Sequence, residues 1–145
     1  MNPIAETLNH LLADYQVLYQ KLRNFHWNVK GPMFFELHAK FEELYTEAAT
    51  RVDDLAERVL ALKHKPLSTL RAQLEAARLK EDAGAPDAKQ MVQTLVDDYG
   101  ALNSRLREAA GVAEKANDRA TLNLLDGIAD GQEKTVWMLR SYLQQ

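Results

Sequence analysis

The chain has 145 residues, 46% of them apolar and 27% charged, and a formal net charge of −3. That length and balance suit one soluble globular domain spanning 1–145, and the slight negative charge argues against a surface dedicated to nucleic acid. The absence of cysteine excludes disulfides, zinc–thiolate sites and iron–sulfur clusters, so any bound metal must be held by histidine and carboxylate.

No basic segment followed by an apolar run opens the chain, and no run of about 18 apolar residues occurs. Neither a signal peptide nor a membrane span is expected, and the expected setting is the cytoplasm. The first predicted helix opens at Asn2-Pro3, a capping side chain followed by proline at the first helical position. An apolar stripe with spacings of three and four runs from Ile4 through Tyr15 and Leu22 to Val29. Gly31-Pro32 should end it, with Gly31 supplying a left-handed C-terminal position. A second helix starts near Met33 to Phe35, carries a stripe from Leu37 to Leu62, and stops before Pro66. Leu67–Glu81 connects, with Ser68 placed to cap a short helix through Leu70 and Leu74. The polar stretch Lys80–Pro86 reads as a loop. Asp87 with Gln90 resembles a capping box, and a third helix follows from Met91 to Ala113. Asn117-Asp118 breaks it, and a fourth helix runs to the end through Leu122, Ile128 and Leu143. No segment alternates with period two, so no strand is expected. The fold class is all-α: a four-helix bundle with a short extra helix in the connection between helices two and three. That long connection lets helices two and three run parallel.

Bundles of this kind hold di-iron sites with Glu-x-x-His pairs on two helices and a Glu on each of the others. No Glu-x-x-His occurs here, and the third and fourth helices contain no histidine. The candidates lie instead in Asn24–Leu62: His26 near the end of helix one, and His38, Glu42, Asp53 and Glu57 on helix two. His38 and Glu42 are four residues apart, as are Asp53 and Glu57, so each pair lies within ~40° on its helix face. The direction from His38 to Asp53 differs by only ~60°, yet the two pairs stand roughly 22 Å apart along a rigid helix. Metal–ligand bonds of ~2 Å forbid one site from using both pairs of one chain. Either there are two sites, or one site is shared between chains. Antiparallel pairing of helix two with its own copy, centred near Glu47–Ala48, would set His38/Glu42 of one chain against Asp53/Glu57 of the other, and a two-fold axis would make two such sites. Two imidazoles with two or three carboxylates suit Fe(II), with Mn or Zn as competitors. Taken singly, each residue also has a plain reading as a surface or packed side chain.

At these residues the chain resembles the Dps-type mini-ferritins (DNA-binding proteins from starved cells), of the ferritin-like superfamily. The resemblance rests on F-H-W-N-V-K-G-P-x-F-F-x-L-H at Phe25–His38, F-E-E-L-Y at Phe41–Tyr45 and D-x-x-A-E-R at Asp53–Arg58, with weaker agreement to W-M-L-R at Trp137–Arg140. It implies a ferritin-like subunit in a hollow homo-dodecamer built on two-fold dimers. It implies a ferroxidase site at the two-fold interface, with His26, His38 and Glu42 from one chain and Asp53 and Glu57 from its mate. Glu42 stands where the family often has Asp. The implied function is iron storage and detoxification: Fe(II), one or two ions per site, is oxidised by hydrogen peroxide in preference to dioxygen and kept as ferric mineral, which protects against oxidative stress.

Trp27 matches an aromatic beside the family's site, a candidate sink for oxidising equivalents, with interface packing as its other reading. The resemblance further implies acidic three-fold pores at the start of helix four, for which Asp118, Asp126 and Asp130 are candidates. Asn123, Lys63 and Thr135 replace the Asp, Gly and His usual in the family. His10 and His64 read as surface residues. The rival function is DNA binding as a nucleoid protein. Relatives that bind DNA commonly use a Lys/Arg-rich tail, whereas Met1–Leu12 has neither residue, and twelve copies multiply a negative charge that a polyanion repels.

Overall fold

Five helices and no strand make up residues 2–145, the part of the chain described in the computed structural model: α1 (Pro3–Asn28), α2 (Phe34–Ala61), α3 (Leu70–Ala76), α4 (Ala88–Lys115) and α5 (Arg119–Tyr142). Their starts follow local chemistry. The Asn2 side chain accepts from the amides of Ile4 (2.8 Å) and Ala5 (3.3 Å). Asp87 and Gln90 form the expected reciprocal capping box, both bonds 2.8 Å. The cap of α3 is one residue later than expected: Thr69 accepts from the Ala72 amide, while the Ser68 hydroxyl donates back to the Pro66 carbonyl.

The helix ends differ more from expectation. α1 leaves through an extended Val29 rather than a left-handed cap, because the buried Val29 side chain is drawn into the core. Gly31 does take positive φ (96°), but inside the following turn, where Phe34 N–H donates to its carbonyl (3.1 Å). Met33 is the left-handed residue that starts α2, at φ 68°. α2 and α4 close alike: His64 N–H reaches the Val59 carbonyl and Asp118 N–H the Ala113 carbonyl, each across a left-handed residue, Lys63 (φ 66°) and Asn117 (φ 57°). Asn tolerates that conformation, whereas Lys is strained in it.

Cross-helix pairs set the topology. Asp14 meets Arg105 and Lys21 meets Asp98, so α1 and α4 run antiparallel. Arg58, near the end of α2, bonds Asp118 and Thr121 at the start of α5, so α2 and α5 oppose as well. The tight α1–α2 and α4–α5 turns then leave α2 parallel to α4, as the long crossover allows. One apolar core runs from Ile4 to Leu143, with Tyr15, Phe25 and Phe41 its largest fully buried side chains. No helix among the described residues is long and apolar enough to cross a membrane.

The crossover is held to α1 by polar side chains. Asn9 donates to the Lys65 carbonyl and accepts from the Leu67 amide. His10, half-buried rather than a free surface residue, places Nδ1 3.2 Å from the Ala76 carbonyl. The fully buried Asp14 carboxylate accepts from the amides of Arg78 and Leu79 and from the guanidinium groups of Arg78 and Arg105. A buried carboxylate is tolerable only when so completely partnered.

Asp118 caps α5 by accepting from the Thr121 amide (3.1 Å) and pairs with Arg58 (2.9 Å). Burial works to raise its pKa, but the Thr121 hydrogen bonds and then the Arg58 charge outweigh burial and hold the carboxyl below its ordinary value of 3.8. A depressed carboxyl pKa adds stability above the unfolded value that is lost as pH falls through the folded one. The stability gap between the parent and Asp118→Asn, followed by chemical denaturation, should therefore be constant at neutral pH and close below about pH 4; a gap unchanged into strong acid contradicts it. Lys63→Gly should raise stability by up to about 1 kcal/mol by relieving the left-handed strain, and a lower melting temperature contradicts that account.

Candidate metal centre

His26 lies in the last turn of α1 and His38 in the second turn of α2, and the Gly31-Pro32 turn sets them side by side. Their rings stack with centroids 3.8 Å apart and planes 11° from parallel. His26 Nδ1 is 2.7 Å from the His38 carbonyl, and His38 Nδ1 is 2.7 Å from the His26 carbonyl. A carbonyl oxygen only accepts, so each Nδ1 must carry a hydrogen. In the neutral ring this leaves a lone pair on Nε2, the tautomer a metal ligand needs. The bond from His38 also satisfies one of the orphan carbonyls at the end of α1.

Packing holds both rings. Phe34 stacks on His38 (centroids 5.0 Å) and Tyr45 stands edge-on to His26 (5.3 Å). Phe25 and Phe41 meet in the core (6.1 Å). The carboxylate of Glu42 is exposed, with Oε1 3.7 Å from His26 Nε2. That gap is long for a hydrogen bond and fits two donors each ~2.1 Å from a common ion. His26 itself is buried. The site is therefore a stacked histidine pair, His26 buried and His38 half-buried, with one carboxylate at its mouth.

Asp53 and Glu57 are exposed on the same helix, roughly 22 Å from the histidine pair by helical rise. Among the described residues no three His, Asp or Glu side chains converge closely enough to hold a metal ion within one chain. The donors of this chain thus form two separate groups. Between them α2 exposes Thr46, Ala49 and Thr50. The threonine hydroxyls donate back to the carbonyls of Glu42 (2.9 Å) and Thr46 (3.3 Å), which leaves methyl groups to face outward. Beyond the two donor groups, Phe35 and Leu60 are 81% and 57% exposed, the most exposed large apolar residues of α2.

The remaining candidates are more dispersed. Trp27 is exposed, with the Arg23 guanidinium over its ring at 4.9 Å. Asp126 and Asp130 are exposed on α5, while Asp118 is engaged by Thr121 and Arg58. Periodicity places Phe34 at the start of helix two and Tyr45 in its apolar stripe, while in the structure each supports a histidine ring. Their spacing carried a usable signal: Phe34 lies four residues before His38, and Tyr45 three after Glu42, both within reach on a helix face.

The family model described as ferritin-like domain matches residues 5–145. The chain is 51% identical over 141 residues to a DNA protection during starvation protein of Brevibacillus brevis, covering 97% of this chain and 95% of that protein. The crystal structure of a Dps protein from Bacillus brevis superposes with a TM-score of 0.95 at 51% identity, over 97% of this chain and 94% of that one. A Dps protein from Vibrio cholerae O1, described as a member of a broad superfamily of ferritin-like diiron-carboxylate proteins, superposes at 0.93 with 42% identity, over 97% of this chain and 88% of that one.

Proposed function

The chain belongs to the ferritin-like family, and within it to the Dps-type mini-ferritins; on that premise we propose that it oxidises Fe(II) at sites shared between two subunits and stores the ferric product inside a hollow homo-dodecamer. His26, His38 and Glu42 of one subunit and Asp53 and Glu57 of its mate are the ligands of each site. Fe(II) is the substrate, bound as one or two ions. Two Fe(II) give one electron each to hydrogen peroxide, which takes up two protons and leaves as two waters; dioxygen is the second oxidant. Mn and Zn compete for the same donors. A cytoplasmic setting fits the cysteine-free composition.

The observation that carries this reading is the division of the donors into a preorganised histidine pair and a distant carboxylate pair on one rigid helix. A two-fold axis passing between Glu47 and Ala48 opposes His38 to Glu57 of the partner subunit and Glu42 to the partner's Asp53. In the same register Phe35 meets the partner's Leu60, and Thr46 meets the partner's Ala49. One register thus joins the donors, covers the two most exposed apolar residues of α2, and seats small side chains where two helices must approach closely. The superfamily named for the Vibrio cholerae structure supports iron as the metal.

Asp53→Ala and His38→Ala should each slow Fe(II) oxidation, followed at the ferric absorbance with added peroxide, by more than the roughly 10–100-fold typical of outer-shell changes. Parental rates in both variants would show that the site is wrongly assigned. Leu60→Glu should shift the assembly to smaller species on light scattering, since it buries an unpaired charge at the shared face. Protection of DNA, the activity named for the relatives, then follows from removing Fe(II) and peroxide together, without contact. Plasmid should show no retardation at low salt near neutral pH, and clear retardation refutes this part of the proposal.

A further inference from the structure

Arg58 follows the proposed ligand Glu57 and is tied to another helix. Its Nε donates to Thr121 Oγ1 and its Nη2 to Asp118 Oδ1, both at 2.9 Å. The Thr121 hydroxyl in turn donates to Asp118 Oδ2 at 2.6 Å, and the Thr121 amide donates to Asp118 Oδ1. These bonds close on one another around a fully buried Thr121. The guanidinium uses two N–H donors of one edge, held at fixed angles that a lysine ammonium cannot reproduce.

The place of this clamp matters. α2 ends at Ala61, so Glu57 lies about one turn and Asp53 about two turns before its end. Their carboxylates are exposed and must meet donors fixed on another subunit. We propose that Arg58 is a positioning residue of the metal centre: its clamp to Asp118 and Thr121 fixes the end of α2 against the start of α5, and so holds Asp53 and Glu57 at the spacing the partner's histidine pair requires. This rests on the shared-site reading. It also gives Asp118 a task distinct from lining an iron pore, as the strut between the α5 cap and the site.

Equilibrium titration of the assembled protein with Zn(II), by calorimetry, tests it. Arg58→Lys and Thr121→Val should each lower Zn(II) affinity by roughly the 10–100-fold seen for residues that orient metal ligands. Thr121→Ser, which restores the hydroxyl, should return it close to the parent. Asp118→Asn keeps a good helix cap but loses the charged partner, and should weaken Zn(II) as well. Because equilibrium affinity is blind to the rate of entry, Asp118→Asn that slows iron oxidation while binding Zn(II) like the parent places Asp118 in access, and overturns the proposal. Arg58→Lys with parental Zn(II) affinity overturns it too, and decides alone if the Thr121 variants fail to assemble. His38→Ala serves as the reference: if it also binds Zn(II) like the parent, the shared-site reading itself has failed.

Discussion

A straight α-helix fixes the distance between its residues, and here that rigidity decides how the metal chemistry can be arranged. His38 and Glu42 face the same way as Asp53 and Glu57, yet about four helical turns separate the two pairs. Flexing side chains cannot span that gap, so each group needs its complement from elsewhere. A second copy in antiparallel register is the economical source, because a two-fold axis supplies both complements at once. On the proposed reading, assembly and iron oxidation depend on one surface, the exposed face of α2.

The histidine half is preorganised by the turn between α1 and α2. Each imidazole donates Nδ1–H to the other residue's carbonyl, so neither ring can turn without breaking its own bond to the other residue's backbone. The pair fixes the tautomer and leaves a lone pair on Nε2, which on the proposed reading removes part of the ordering cost from metal binding. The same two bonds hold the end of α1 to the start of α2, so the turn and the ligand geometry stabilise each other. The carboxylate half has no such turn beside it. Its nearest equivalent is the Arg58 clamp to α5, which on the proposed reading makes the far end of the bundle part of the support of the site.

Apolar periodicity was enough to read the four long helices, and the side-chain caps at Asn2 and Asp87 were legible because capping is a matter of three or four neighbouring residues. The separation of the candidate donors into two groups was legible for a related reason: helical spacing alone shows which side chains share a face and which cannot meet. Contacts across the chain were not. Asp14 reaches Arg78 and Leu79, and Asn9 reaches Leu67, each pair far apart in sequence; nothing local distinguishes these residues from ordinary polar side chains on α1. The role of Lys63 was hidden because a left-handed cap is a property of the backbone, and only the Gly usual at that position hinted at it. Ser68 and Thr69 cap equally well in principle, so the choice of Thr69 needed the tertiary path. Likewise His26 and His38 were visible as donors, while their reciprocal bonds required the turn to be built.

Co-expression of His38→Ala and Asp53→Ala chains, with the mixed assemblies purified and Fe(II) oxidation measured, tests the sharing of sites most directly. On the proposed reading, every site of either variant alone lacks one ligand. A mixed dimer combines the intact histidine half of one chain with the intact carboxylate half of the other, so one of its two sites is native and the other is doubly damaged. With random pairing, sharing across a two-fold axis predicts recovery of roughly a quarter of the parental rate. Mixed assemblies no faster than the separate variants would contradict it, because sites contained within single chains cannot be repaired by mixing.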